Sequence, residues 1–467
     1  VDLKAHLRSL AHDPTWALTY RYAFLVGMLE FAIAVPMPVL VLHMTGRGLD
    51  LGVIGLAFML RAILVVLLEL PTGGMADAIG RRPIALASQL FTLSSFVALL
   101  FVSGPALALL YALLQGIGSA LHSGALDAWY VDEIKRLDSA VELEPHLATV
   151  NVFQASGMLL GTALGGALPT LTAQLDLPWP LAGFGVALFA GIVLRLVTWV
   201  LTLALVREPV KPQGGAVTGV RAVPGILLDA GRLARNIPSL RWLLVAAGAS
   251  GLAMVSIETF WQPIAAFTFG DDPSRSVPYA VLGTASGVAV LLGSIAVMRW
   301  GKRFPGGSVA LAGTSTVIRG LAMFLFASMA SGWGLGVGLS LTYFALATTN
   351  VPHYALLHDA IPSARRSSLL SVHSLVFFGG IAIASGPLGW LAVQAGPQLA
   401  LAIASALTIA SALAYVRVAR LQSEPGTSNH TEASEGELAM VAAATAPLGG
   451  PEGAFEAGAH EQFHDGR

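Results

Sequence analysis

Gly73-Gly74-Met75-Ala76-Asp77-Ala78-Ile79-Gly80-Arg81-Arg82 joins two long apolar segments, Leu51–Met75 and Pro83–Val102. Each segment exceeds the roughly 20 residues that a helix needs to cross a bilayer. Glycines at 73 and 74 let a helix approach a neighbour, and Gly80 permits a tight turn. Arg81 and Arg82 suit lipid phosphates. Asp77 falls at a helix end among basic groups, where it can latch neighbouring elements.

Ten more apolar segments lie outside this pair, giving two sets of six. The first set reads Ala17–Met44, Leu51–Met75, Pro83–Val102, Ala106–Tyr130, Leu147–Leu171 and Leu181–Val206. The second reads Leu240–Phe267, Tyr279–Trp300, Ser308–Ala330, Trp333–His358, Ser367–Val393 and Gln398–Val418. The expected organisation is an all-α polytopic membrane protein. It has an N-terminal six-helix bundle (1–206), a cytoplasmic linker (207–239), a C-terminal bundle (240–420) and a disordered tail (421–467). The linker holds a short amphipathic stretch, Ile226–Arg235. The tail has no apolar period, and His430, His460 and His464 in it are too irregularly spaced for a metal site.

Composition agrees. Hydrophobic residues are 55% of the chain and charged residues 11%, against about 25% charged in a soluble domain. A water-soluble chain of this length could not cover its surface with so few charges. The net charge of −1 and the lack of a basic block argue against nucleic acid. The absence of cysteine removes disulfides, thiolate metal sites and cysteine nucleophiles. No phosphate-cradling loop, zinc-binding His-Glu-x-x-His pattern or nucleophile elbow occurs, so no enzyme is expected. Val1–Thr15 is polar and reads as no cleavable signal peptide.

Basic residues fix an expected orientation. One side collects Lys4, Arg8, Arg81, Arg82, Lys135, Arg136, Arg299, Lys302, Arg303, Arg365, Arg366, Arg417 and Arg420, plus those of the linker. The opposite loops offer Arg47 and Arg275. Both termini are therefore expected in the cytoplasm, with the chain in the inner (plasma) membrane.

The Gly73/Asp77/Gly80/Arg81/Arg82 pattern resembles the signature between helices two and three of the major facilitator superfamily. The resemblance extends over roughly Thr15–Arg420. Trp300-Gly301-Lys302-Arg303 after segment eight matches Ile79-Gly80-Arg81-Arg82 after segment two, with Met298 at the Asp77 position. It implies two pseudo-symmetric six-helix bundles around one central cavity. Gly157, Gly161, Gly165 and Gly166 in segment five resemble the family's antiporter motif, with Thr162 at the proline position, and imply export; small-residue packing is the alternative reading. Gln115-Gly116-Ile117-Gly118 resembles the end of the helix-four motif, but Ala112 stands where the family's proton-coupling arginine belongs. Coupling is then expected from other groups.

Those groups are the charges inside the segments: Glu30, Arg61, Arg195, Glu258 and Arg319. A charge at the bilayer centre costs at least about 2.5–3.5 kcal/mol, so such residues face a bundle interior or a cavity. Glu30 and Arg61 are expected to pair, as are Glu258 and Arg319, with Glu30 or Glu258 exchanging the proton. His122 is the expected cavity histidine; His353, His358 and His373 are expected to bond carbonyls. Glu69 and Asp127 are assigned to a gating network with Asp77 and Arg81/Arg82. Trp261 and Gln262, before Pro263, are read as a broken helix presenting an indole and an amide to cargo.

The sequence thus predicts proton-coupled efflux of a lipophilic or cationic small molecule by alternating access. No cofactor is implied beyond a proton gradient. The expected partners are small-molecule cargo, protons and the lipid bilayer, with the protein a monomer. Nutrient uptake and lipid translocation between leaflets are the alternatives.

Overall fold

A computed structural model of the chain describes residues 13–122, 124–208, 225, 231–232, 235–361 and 366–423, with backbone alone at 73, 74, 76–78 and 366–369. Most of the Ile226–Arg235 stretch and nearly all of the tail lie outside the described residues. So does the side chain of Asp77.

All regular structure among the described residues is helical. Span 1 comprises α1 (Pro14–Ala34), a 3-10 turn (Met37–Val39) and α2 (Leu40–Gly46). Spans 2 and 3 are α3 (Leu51–Ile79) and α4 (Arg81–Leu100). Span 4 is α5 (Pro105–His122) with α6 (Ala125–Leu137). Spans 5 to 8 are α7 (Leu143–Leu171), α8 (Gly185–Leu205), α9 (Pro238–Phe269) and α10 (Val277–Trp300). Spans 9 to 11 are α11 (Gly307–Ser328), α12 (Gly332–Ala360) and α13 (Arg366–Ala395). Span 12 is α14 (Pro397–Ser411) with α15 (Leu413–Ser423). Eleven of the twelve are long and apolar enough to cross a membrane. The other, α12, is 29 residues long but less apolar.

The breaks follow backbone chemistry. Pro36 and Pro38 lack N–H donors, so span 1 leaves the α-helix after Ala34 and resumes at Leu40. Gly124, at φ 70°, divides span 4. The long turn expected at 73–82 contracts to Gly80 alone, at φ 115°, because the helix continues through Ile79. The break expected at Pro263 does not occur: α9 runs through it to Phe269.

Contacts between helices repeat with an offset of six spans. In the first half, span 1 packs on spans 5 and 6, span 2 on span 4, and span 3 on spans 4 and 6. In the second half, span 7 packs on 11 and 12, span 8 on 10, and span 9 on 10 and 12. The halves meet where span 2 lies on span 11 and span 5 on span 8, which the same offset interconverts. Outward faces carry Leu160, Leu171, Leu292, Leu321 and Ile383, each more than half exposed, an apolar belt suited to lipid.

Span 5 needs its glycines. A Cβ at Gly157, Gly161 or Gly165 would fall 2.0, 2.5 or 1.5 Å from the Gly27, Phe31 or Val35 carbonyl oxygen of span 1. The stripe therefore brings two backbones into contact, the geometry small residues allow in membranes. Gly166, on another face, meets the Ala280 backbone of span 8 at 2.5 Å in the same sense, and Gly283 of span 8 faces Thr162. Replacing Gly165 with alanine is expected to destabilise the fold by at least the ~1–3 kcal/mol of an overpacked core. Thermal unfolding of the detergent-solubilised protein should show a lower Tm, with Gly46→Ala unchanged because open space surrounds that position.

Candidate transport pathway and gates

On the basic face, the turn at Gly80 is tied to its own half. Glu208, just after span 6, accepts hydrogen bonds from Arg81 N (2.9 Å) and Arg82 N (3.3 Å). These are the first backbone donors of α4, which lack partners within their own helix, and the negative charge also suits the helix dipole. A Cβ at Gly80 would sit 2.7 Å from Glu208 Oε2, a second reason for glycine there. Arg81 Nη1 pairs with Asp132 Oδ2 at 2.5 Å, and Arg82 Nη2 donates to the Leu203 carbonyl at 2.7 Å. Asp127 is not part of this cluster: it accepts from the Tyr22 hydroxyl at 2.6 Å. Glu208 and Asp132 escaped the sequence reading, although acids flanking arginines at span ends are a usable signal.

On the opposite face the halves are joined. Gln262 of α9 accepts from Val41 N (2.9 Å) and Leu42 N (3.2 Å) and donates to the Met37 carbonyl (2.8 Å). Its amide is therefore spent on the backbone that the prolines of span 1 left open, not presented to cargo. Trp261 is buried in the same core. Beside it, Thr170 of span 5 and Ser276 before span 8 bond reciprocally: Thr170 N donates to Ser276 Oγ (3.2 Å) and Ser276 N to Thr170 Oγ1 (2.9 Å). Nearer the basic face, Ser374 of span 11 donates to the Glu69 carboxylate of span 2.

The mid-membrane charges are placed differently from the expected pairs. Glu30 and Arg61 form no ion pair, and neither do Glu258 and Arg319. The reason is topological: span 1 packs on spans 5 and 6 rather than on span 2, and span 7 lies mainly against spans 11, 12 and 10. Glu30 acts electrostatically with Arg195 of span 6, whose guanidinium lies 4.1 Å from the Phe96 ring centroid. Glu258 accepts a short hydrogen bond from the Tyr343 hydroxyl of span 10 and feels Arg61 across the halves. Glu30, Arg61 and Glu258 are each half-buried. His122, Glu30, Asp127, Tyr22 and Gln154 line a cavity of about 30 Å³.

A larger cavity, about 500 Å³, lies among spans 7, 10, 11 and 12. His353 and His373, expected to bond carbonyls, instead bond one another there (Nε2 to Nε2, 3.1 Å), and His353 Nδ1 bonds the Tyr415 hydroxyl at 2.9 Å.

A twelve-span bundle with this six-span offset has relatives in sequence and structure. The profile of the Major Facilitator Superfamily matches residues 22–341. The chain belongs to the Major Facilitator Superfamily. Its fold is similar to the crystal structure of the nucleoside transporter NupG, at TM-score 0.68 and 14% identity, covering 86% of this chain and 98% of that one. A crystal structure of the peptide transporter POT bound to sulfate superposes at TM-score 0.63 with 16% identity, over 86% and 95% of the two chains. The human organic anion transporter MFSD10 (TETRAN) gives 0.55 and 19%, over 86% and 99%. Comparison with curated proteins finds no match. The superfamily places this chain among multi-pass transporters of small molecules rather than enzymes; at these identities the solved structures speak for the fold alone.

Within this transporter, Gln262 is the most concentrated contact across the closed face. Gln262→Ala removes three hydrogen bonds, a loss of about 1.5–4.5 kcal/mol at ~0.5–1.5 kcal/mol each. The chain has no cysteine, so a Met37→Cys reporter is clean. Its reaction with an impermeant maleimide should accelerate at least tenfold (about 1.4 kcal/mol) in the Gln262→Ala background; an unchanged rate would deny Gln262 a gating role.

Proposed function

We propose that this transporter exports a lipophilic small molecule, a drug or secondary metabolite, in exchange for protons taken up by Glu258. The observation that carries the reading is the environment of Glu258. It is a half-buried carboxylate deep in the bundle, held by one phenolic hydrogen bond and no ion pair. Tyr343 donates to the ionised form, so protonation weakens the link between α9 and α12.

Gln262 lies four residues further along the same helix, about 6 Å away at a rise of 1.5 Å per residue. A proton at Glu258 and the lock at Gln262 thus share one face of α9. That proximity supports coupling of protonation to opening of the opposite face. Of the two cargo classes expected from sequence, the lipophilic one is kept. Arg195 acts on Glu30, Arg61 acts on Glu258, and Asp127, the other carboxylate beside Glu30, accepts from the Tyr22 hydroxyl, which favours a cargo without positive charge. Export itself rests on the likeness of span 5 to the antiporter motif. The basic face is assigned to the cytoplasm of the inner membrane by its arginines and lysines.

Proteoliposomes loaded with lipophilic dyes under an imposed pH gradient test the reading. Glu258→Gln should remove the dependence of dye flux on the gradient while leaving dye exchange in place, and Tyr343→Phe should weaken it several-fold. Gradient dependence that persists in Glu258→Gln would sink the assignment. For orientation, Ser274→Cys should react with an impermeant maleimide in intact cells, and Lys302→Cys should react only after lysis.

A further inference from the structure

Arg319, in α11, is 2% exposed and pairs with no carboxylate among the described residues. Its Nη1 donates to Ser250 Oγ at 3.0 Å, while Nε and Nη2 have no partner. A guanidinium stays charged in a protein, and a buried charge without a counter-ion is costly. Glu258 does not supply that counter-ion, because its carboxylate is taken by Tyr343 and its opposing charge is Arg61.

Ser250 also lines the 500 Å³ cavity, as do His353, His373, Tyr415 and Asn350. Having accepted from Arg319, the Ser250 hydroxyl keeps its own hydrogen to donate. The histidine pair can be polarised the same way. With Tyr415 donating to His353 Nδ1, and His353 Nε2–H donating to His373 Nε2, His373 must carry its remaining hydrogen on Nδ1. No group among the described residues bonds that atom. Among the described residues no carboxylate lines the cavity; Glu69 of span 2 accepts from Ser374, which does. The rings of Tyr354, Phe377 and Phe378 also line the cavity, Tyr354 with its centroid 5.0 Å from that of His373. The volume falls within the range of sites for drug-sized ligands.

We propose that this cavity is a binding site for an aromatic organic anion, its carboxylate or sulfonate taken by the donors at Ser250 and His373 in front of Arg319, its rings lying on Phe377 and Phe378. The inference rests on the reading of the chain as a carrier of lipophilic small molecules and names the charge of the cargo. The anion supplies the counter-charge that Arg319 lacks.

Equilibrium binding to the full-length, detergent-solubilised protein tests it without requiring transport. Three isosteric probes suffice: 1-naphthoate, 1-naphthylmethanol and 1-naphthylmethylammonium. The naphthoate should bind at least tenfold more tightly than either of the others. Arg319→Gln and His373→Gln should each weaken it at least tenfold, Arg319→Lys should restore part of the loss, and Gly46→Ala should match the parent. Equal affinity for the three probes, preference for the ammonium, no naphthoate binding, or affinity unchanged in His373→Gln would overturn the proposal. Should Arg319→Gln fail to fold, His373→Gln and Ser250→Ala decide. Naphthoate selectivity without pH-dependent flux would strike the proton-exchange reading and leave the site standing.

Discussion

In hydrocarbon, a backbone N–H or C=O without a partner costs several kcal/mol, and no water is available to provide one. At three places where this chain leaves the helix, the open backbone is answered by a side chain from elsewhere. The first donors of α2, exposed by the prolines of span 1, are taken by Gln262 from span 7. Those of α4, exposed by the turn at Gly80, are taken by Glu208 after span 6. The start of α10 is met by Thr170 from span 5. Such caps ordinarily come from the residue just before the helix. Asp13, Asp50 and Ser331 do this for α1, α3 and α12, whereas the three caps above come from distant spans, so the same bonds that complete a helix also decide which spans stay together.

That arrangement separates two kinds of contact. The Glu208 cap and the Asp132 pair keep the basic-face turn within the first half. Gln262 and the Thr170–Ser276 pair cross between halves. The glycine stripe of span 5 belongs to the first kind on one face and to the second on the other, since Gly157, Gly161 and Gly165 meet span 1 while Gly166 meets span 8. Movement of one half against the other can therefore break few hydrogen bonds while leaving each half intact.

The spans were legible in the sequence because hydrophobic length alone reports them, and the loop motif carried the family. Partner choice was not legible. Glu30 and Arg61 share a depth in neighbouring segments, yet adjacency in sequence is not adjacency in a bundle where span 1 packs on spans 5 and 6. Gln262 read as a ligand group because sequence shows an amide before a proline but not the open backbone waiting for it. Arg195 reads in sequence only as a charge in an apolar span, because its neighbours Phe96 and Glu30 come from spans 3 and 1. The His353–His373 bond joins residues from two spans, and nothing local in either announces the other.

The modest hydropathy of α12 has a consequence for how the protein is made. Its Thr348, Thr349, Asn350 and His353 raise the cost of leaving the translocon as a lone helix. Those groups become acceptable only once packed, and α12 lies along the more apolar α11, joined to it by a link of three residues. The two helices therefore enter the bilayer best as a hairpin, the apolar one carrying the polar one. The polarity that lines the cavity is in this way a constraint on the order of membrane integration.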